Sequence, residues 1–216
     1  MLENELFKLW PTLILKKTFK DHKTHKSDLL EFIKFYKEKY PFGREASENK
    51  DLYESNYDIT DFIQENRSLY SLIEFIGEGF KTVAYNANKE AWKNQKIDPS
   101  DIRAKITAMW FIDYLKDGFV FPHIHSNASW SMVYYLDLGN SNNEDLSTSG
   151  TYFMSPYNKS DSTDYGNFFS REASRNIVGE EGDALFFPST LIHSSYPTTN
   201  KKRVIFSANC YFEKIQ

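Results

Sequence analysis

The chain has 216 residues and a net charge of -4, and 17 % of its residues are aromatic. This length and composition fit one domain with a packed core and exclude an intrinsically disordered chain. The negative net charge disfavours a basic surface that could bind a phosphate backbone, so we expect no nucleic-acid partner. The single cysteine, Cys210, cannot form a disulfide within the chain, which favours a reducing, cytoplasmic location. The first 17 residues lack the features of a secretory signal, and their apolar run is too short to span a bilayer.

Two helices are predicted in the first half of the chain. Ser27 can cap a helix whose apolar side chains recur at three- to four-residue spacing as far as Tyr40. A second stripe with helical spacing runs from Leu69 to Ala87. We expect both helices to be scaffold elements, and the polar segment 40–61 between them to be mostly loop. His22 and His25 lie among lysines, so we expect both on the surface.

The second half predicts short β-strands. From about residue 104 the sequence becomes rich in β-branched and aromatic residues, interrupted by Gly, Asn, Ser and Pro. This pattern predicts a mainly β fold, an antiparallel sandwich or barrel with a helical buttress, in a single domain over 1–216. Residues 1–103 would form the N-terminal strand and buttress, and residues 104–216 the β core. The predicted strands are ITAMWFIDY, GFVFPHIH, SWSMVYYLDL, GTYFM, SRNIV, DALFFP and KRVIFSANCYF.

Two long polar connections interrupt these strands, at 139–150 and 155–172. Such loops can serve as lids or specificity loops on a rigid β scaffold, or simply as solvated surface connections. Neither contains a motif that names a ligand.

His123 and His125 are the first candidate metal ligands. Side chains at positions i and i+2 of a strand point to the same face, so two imidazoles at this spacing can converge on one ion. The pair alone is equally compatible with two histidines packed on a sheet. A third ligand is needed to favour a metal.

His193 and Arg203 could complete such a site. His193 follows a buried strand and a Pro-Ser kink, and it is the third histidine of the β-rich half. Arg203 begins an alternating strand ten residues later, on the face shared by Ser207 and Asn209. A guanidinium there can hold a carboxylate through paired charge-assisted hydrogen bonds, although an ordinary surface charge is the alternative.

Together these residues resemble the 2-oxoglutarate- and Fe(II)-dependent oxygenases. That family has a double-stranded β-helix (jelly-roll) core, two ligands at i and i+2, a distant histidine, and an arginine about ten positions later. The chain looks like one branch in particular, with an H-x-H pair and an R-to-N terminal strand. The resemblance covers nearly the whole chain and is strongest over 118–212, in HIHSNASWSMVYYLDL, EGDALFFPSTLIHSSYP and KRVIFSANCYF.

The resemblance implies roles for individual residues. His123, His125 and His193 would bind Fe(II), and Arg203 would bind the distal carboxylate of 2-oxoglutarate. Tyr135 occupies the place where some relatives have a tyrosine that supports this carboxylate. Ser207 and Asn209 share the inward face with Arg203 and are further candidates for cosubstrate binding. The implied reaction hydroxylates an unidentified small-molecule or peptidyl substrate, with release of succinate and CO2, and it requires no protein acid or base.

Two residues depart from the pattern of most oxygenases. His125 stands where most members have Asp or Glu, so zinc or nickel could compete with iron for three imidazoles. Ile205 stands where relatives often have a hydroxyl group, which removes one carboxylate contact. Three alternatives therefore stay open: a cupin-like metal-binding protein, a non-catalytic jelly-roll binding domain, and a zinc hydrolase. Neither the oligomeric state nor the substrate can be read from the sequence.

Overall fold

The computed structural model describes residues 12–44, 51–139, 150–157, 172–197 and 202–215. Within these ranges there are two long α-helices, nine strands and two 3₁₀ segments. The elements are β1 (Leu15–Thr18), α1 (His22–Lys39), β2 (Leu52–Glu54), a 3₁₀-helix (Ile59–Glu65), α2 (Arg67–Asn94), a 3₁₀ turn (Pro99–Asp101), β3 (Ile102–Tyr114), β4 (Trp130–Asp137), β5 (Thr151–Met154), β6 (Ser174–Ile177), β7 (Asp183–Pro188), β8 (His193–Ser194) and β9 (Arg203–Lys214).

The strands form a larger and a smaller antiparallel sheet. The larger sheet has the order β1-β7-β4-β9-β3-β2, and the smaller has the order β6-β5-β8. Neighbours in the larger sheet are distant in sequence, as when β9 lies between β4 and β3. The polypeptide therefore brings segments from both ends of the β-rich region together, as the jelly-roll prediction requires.

Alternation along the strands divides the interior into two hydrophobic layers. On β4, Tyr134 points towards the helices, whereas Val133 and Tyr135 point into the layer that also contains Phe153 of the smaller sheet. This is the two-residue period of a β-strand, with apolar residues on both faces because both are covered. A cavity is lined from this second layer, with Val133, Phe187 and Ile205 among its residues.

The two helices cover the outer face of the larger sheet. Leu29, Ile33 and Tyr36 of α1 and the apolar stripe of α2 are buried in one cluster with the outward residues of β3, β4, β7 and β9. The close approach of α2 to β7 occurs at Gly79, where an added Cβ would overlap the ring of Phe186. The helical-buttress prediction is confirmed.

Several local predictions differ from the structure. The segment GFVFPHIH forms no named strand, only an isolated bridge between His123 and His193, because Pro122 has no N–H to donate to a ladder. The segment predicted as loop contains β2 and a 3₁₀-helix. Helix α1 begins at His22, five residues before Ser27.

His22 is buried, not exposed as predicted. Its Nδ1 lies 2.6 Å from the hydroxyl of Tyr134, so the imidazole joins the start of α1 to β4. Burial lowers the pKa of His22, against the effect of the nearby Glu181 carboxylate, which raises it.

Within the described ranges, no helix combines the length and the apolar character needed to cross a bilayer. Most of the two predicted loops, 139–150 and 155–172, lies outside the described residues.

Candidate metal centre

Backbone hydrogen bonds place the three histidines. The N–H of His123 donates to the carbonyl of His193 at 3.0 Å, and the N–H of His193 donates back at 3.1 Å. The N–H of His125 donates to the carbonyl of Ser189 at 2.9 Å. The segment that carries the H-x-H pair is thus fixed against the segment that leads into β8.

The three side chains converge. One ring nitrogen from each of His123, His125 and His193 lies within 4.8 Å of the others. Nε2 of His125 and Nε2 of His193 are 3.2 Å apart, close to the separation of about 3 Å expected for two neighbouring ligands at bond lengths of about 2.1 Å. The predicted convergence of these rings is what the structure shows.

The backbone also sets the tautomers of two rings. Nδ1 of His123 lies 2.7 Å from the carbonyl of Phe121, and Nδ1 of His193 lies 2.9 Å from the carbonyl of Leu191. A carbonyl can only accept, so both Nδ1 atoms carry the proton, and both Nε2 atoms present a lone pair. This is the arrangement that a metal-binding imidazole requires.

Burial keeps two of the rings uncharged. Burial is the main cause that lowers the pKa of His125 to about 4 and that of His193 to about 3, with a further contribution from the electrostatic interaction of each ring with the neighbouring His123 ring. Both imidazoles are therefore neutral near pH 7, the form in which they can bind a metal.

The histidine cluster opens into a cavity of about 470 Å³. Arg203 lines the same cavity and is 1 % exposed. The remaining wall is mostly apolar and aromatic, with Trp110, Tyr114 and Phe187 among its residues. The imidazole cluster and a buried guanidinium thus line one and the same cavity.

Arg203 is held by aromatic rings and by a backbone carbonyl. Its guanidinium carbon lies 5.0 Å from the centre of the Tyr114 ring and 5.9 Å from that of Tyr135. Its Nη2 donates to the carbonyl of Gly150 at 3.1 Å. These contacts orient the guanidinium group at the start of β9.

The other predicted cosubstrate residues lie in different surroundings. Ser207 lines the cavity. The hydroxyl of Tyr135 is 2.7 Å from Oγ1 of Thr151, and Thr151 lines the cavity. Asn209 lies six residues along β9 from Arg203, and its Nδ2 is 3.3 Å from Nδ1 of His125. Asn209 therefore contacts the imidazole cluster near the middle of β9, whereas Arg203 lies at the start of this strand.

Three cavity residues were missed by the sequence reasoning. Tyr114 packs on Arg203 and hydrogen bonds to Ser195, and Trp110 packs against His125 with ring centres 5.5 Å apart. Both residues lie on the inward face of β3, which the two-residue alternation of WFIDY could have indicated. Thr151 begins a short strand after a long polar segment, and no local signal distinguishes it.

An aromatic and charged wall extends outward from the histidines. Trp110 contacts His125 on one side and Tyr57 on the other, with a Trp110–Tyr57 ring separation of 4.9 Å. Arg44 stacks on Tyr57 and pairs with Glu54 at 3.2 Å. All of these side chains line the same cavity, so its outer part offers flat apolar surface next to a neutralised ion pair.

A protein family matches the part of the chain that contains this site. Residues 108–209 match the family described as "Putative 2OG-Fe(II) oxygenase". Over these residues the chain is similar to the 2-oxoglutarate- and Fe(II)-dependent oxygenases. The family's metal is Fe(II) and its cosubstrate is 2-oxoglutarate, in agreement with the resemblance drawn from the motifs.

Solved structures of low sequence identity share the fold of this chain. A prolyl hydroxylase from Trichoplax adhaerens, in complex with a hypoxia-inducible-factor peptide fragment, aligns with a TM-score of 0.57 and 11 % identity, over 92 % of this chain and 83 % of its own. A Pseudomonas putida prolyl-4-hydroxylase aligns with a TM-score of 0.51 and 10 % identity, over 94 % and 92 %. HygX from Streptomyces hygroscopicus, solved with nickel and 2-oxoglutarate, aligns with a TM-score of 0.53 and 9 % identity, over 92 % and 82 %.

These alignments confirm the predicted double-stranded β-helix fold of this chain. The search of curated proteins gives no match.

Proposed function

We propose that His123, His125 and His193 bind Fe(II) and that Arg203 binds the distal carboxylate of 2-oxoglutarate. The observation that carries this proposal is the single cavity of about 470 Å³, which joins a three-imidazole cluster to a buried guanidinium. The matching family uses this metal and this cosubstrate.

The side chains fit a divalent metal. His123 and His193 each direct an Nε2 lone pair into the cluster, because their Nδ1 atoms donate to backbone carbonyls. Low ring pKa values for His125 and His193 mean that neither imidazole carries a second, charging proton near pH 7. Three neutral ligands leave the metal's charge uncompensated, and a dianionic cosubstrate supplies the missing negative charge.

Arg203 fits one end of that cosubstrate. A guanidinium presents a planar fork of N–H donors that matches a carboxylate, and its charge is weakly screened when it is buried. The rings of Tyr114 and Tyr135 hold the group in place, so little side-chain entropy is lost on binding. Thr151 and Ser207 add hydroxyl groups to the same cavity.

When bound, Fe(II) and 2-oxoglutarate supply the oxidising chemistry, in which O2, 2-oxoglutarate and a substrate C–H bond give succinate, CO2 and a C–OH group. The chain's own residues would bind the metal and the cosubstrate, orient them, and exclude water from the site. The three imidazoles would hold the metal, and the apolar walls around Phe187 and Trp110 would limit access of water to it.

The outer part of the cavity is the proposed substrate-binding region. Trp110 and Tyr57 provide flat apolar surface beside the histidines, and the Arg44–Glu54 pair provides both a donor and an acceptor further out. An unidentified small-molecule or peptidyl substrate with an apolar group next to polar groups fits this lining.

Release of CO2 from carboxyl-labelled 2-oxoglutarate tests the proposed function. We expect release that requires Fe(II) in the wild-type protein, that is lost in His193→Ala, and that persists in Asn88→Ala, which changes an amide on α2 that does not line the cavity. Release that does not depend on iron, or that is equal in wild type and His193→Ala, would refute it. Stoichiometric metal binding without any binding of 2-oxoglutarate would favour the cupin-like alternative.

A further inference from the structure

Asn209 lies between His125 and a pair of buried serines. Its Nδ2 is 3.3 Å from Nδ1 of His125, and its Oδ1 accepts a hydrogen bond of 2.8 Å from Oγ of Ser131. Oγ of Ser131 is also 2.9 Å from Oγ of Ser189, and both serines are buried. The carboxamide is therefore the link between one imidazole of the cluster and a short chain of hydroxyl groups.

His125 differs from the other two histidines in what faces its Nδ1. His123 and His193 are paired with backbone carbonyls, which only accept, so their tautomers are fixed. A carboxamide has a donor end and an acceptor end of similar shape, and a half-turn exchanges the two ends without displacing neighbours. The tautomer of His125 therefore depends on the orientation of Asn209.

In the structure the donor end of the Asn209 carboxamide faces His125. Ser131 donates to Oδ1, which leaves Nδ2–H directed at Nδ1 of His125. Nδ1 then accepts, and the ring proton resides on Nε2, 3.2 Å from the Nε2 lone pair of His193. The proton of His125 thus bridges the two nitrogens between which a metal would bind.

We propose that Asn209 is a positioning residue for His125, and that its carboxamide selects which ring nitrogen carries the proton. A half-turn presents Oδ1 to Nδ1–H and frees the Nε2 lone pair for a metal. Nδ2 then donates to Oγ of Ser131, whose own hydrogen turns to Oγ of Ser189. The ring exchanges its proton through water, from Nε2 to Nδ1, with no net gain or loss. The metal-binding half of this inference rests on the proposed function, whereas the tautomer half does not.

Substitutions at position 209 separate positioning from packing. Asn209→Asp offers only acceptor oxygens and would hold the proton of His125 on Nδ1. Asn209→Ala offers neither donor nor acceptor. Ser131→Ala removes the donor that holds Oδ1 and should release the carboxamide to face His125 with either end. Asn88→Ala, on helix α2, is the control for loss of an amide elsewhere.

Nitrogen-15 NMR of the histidine rings in chelator-treated protein near pH 7.5 tests the tautomer directly. We expect the proton of His125 on Nε2 in wild type and Asn88→Ala, on Nδ1 in Asn209→Asp, and a larger Nδ1 fraction in Ser131→Ala than in wild type. Identical tautomers in wild type, Asn209→Asp and Ser131→Ala would overturn the proposal. Ser131→Ala tests it even if both changes at position 209 prevent folding.

Ni(II) affinity, measured by competition with a chelator, tests the consequence for the metal. Asn209→Ala should bind Ni(II) about 10- to 100-fold more weakly than wild type, as for other partners of metal-binding histidines. Asn209→Asp should bind at least as tightly as wild type. Equal losses in both variants would show a packing role and contradict the proposal. If the tautomers shift as expected but wild-type protein binds no metal, the proposed function fails and the role of Asn209 in setting the tautomer stands.

Discussion

His123 and His193 exchange a pair of backbone hydrogen bonds, although they belong to segments that are distant in the sequence. Each N–H donates to the other residue's carbonyl, at 3.0 and 3.1 Å. The two segments are therefore joined by the main chain before any metal binds. A site that is organised in advance does not use metal-binding energy to order its ligands.

The first prediction concerns His193 as a metal ligand. His193→Ala should abolish binding of Fe(II). The two remaining imidazoles, His123 and His125, lie on one segment, and the third ligand, from the segment that pairs with it, is removed. His25→Ala is a matched control, since His25 contacts Ser68 on α2. Calorimetric titration under argon measures both. Unchanged metal affinity in His193→Ala would contradict the assignment.

The second prediction concerns Arg203. Arg203→Ala should retain the metal but lose 2-oxoglutarate affinity, on the order of 2 to 5 kcal/mol for a buried charge-assisted contact. Arg203→Lys keeps the charge but not the planar fork, and should give an intermediate loss. The control is Arg175→Ala, which removes an exposed arginine paired with Glu172. The same titration with cosubstrate tests this prediction, and equal affinities in Arg203→Ala and the control would refute it.

The third prediction concerns the support behind Arg203. A Cβ added at Gly179 would overlap the buried ring of Tyr135, which packs on the guanidinium. Gly179→Ala should therefore destabilise the protein by about 1 to 3 kcal/mol through overpacking, and should also weaken cosubstrate binding. Gly77→Ala is the control, because nothing lies within 4 Å of an added Cβ there. Urea unfolding and cosubstrate titration check both effects, and 2-oxoglutarate affinity equal to that of Gly77→Ala would contradict the second.

The fourth prediction concerns the dependence of stability on pH. Burial alone would raise the pKa of Asp137, but hydrogen bonds from Lys202 and Lys26 outweigh it and lower the pKa to about 2. A lowered pKa in the folded state gives stability that is present above the unfolded value near 4 and is lost as the pH falls towards 2. Asp137→Asn should cost roughly 2 kcal/mol at pH 7 and progressively less below pH 4.

Urea unfolding of wild type and Asp137→Asn from pH 7 to pH 3 measures this difference. Glu78→Gln, which changes an exposed ion pair with Lys81, should show no comparable effect. A difference between wild type and Asp137→Asn that stays constant over this range would show that the carboxylate does not act through its charge.

Much of the fold could be predicted because its signals are local. The alternation along β3, β4 and β9 marks two buried faces, and the stripe from Leu69 to Ala87 marks the helix that covers one of them. The spacing of His123 and His125 placed both rings on one side of the chain. These features depend only on the side-chain period of a strand or a helix, so they can be predicted without knowledge of the tertiary structure.

The remaining features depend on contacts across long sequence distances. His22 was predicted to be exposed because its neighbours are lysines, but it is buried and forms a hydrogen bond with the hydroxyl of Tyr134 on β4. Asn209 was predicted to share a cosubstrate role with Arg203 because both lie on one face of β9. It lies six residues further along the strand, however, and contacts His125. The segment GFVFPHIH was predicted as a strand, but Pro122 has no N–H to donate, and the segment forms an isolated bridge and a few single backbone hydrogen bonds in place of a continuous ladder.

Anomalous diffraction at the iron edge, from crystals grown anaerobically with Fe(II) and 2-oxoglutarate, tests the central claim most directly. The account predicts one iron peak per chain, bounded by Nε2 of His123, His125 and His193, with cosubstrate density that extends from the iron to the Arg203 guanidinium. An absent peak, a peak bounded by other residues, or cosubstrate density away from Arg203 would contradict it.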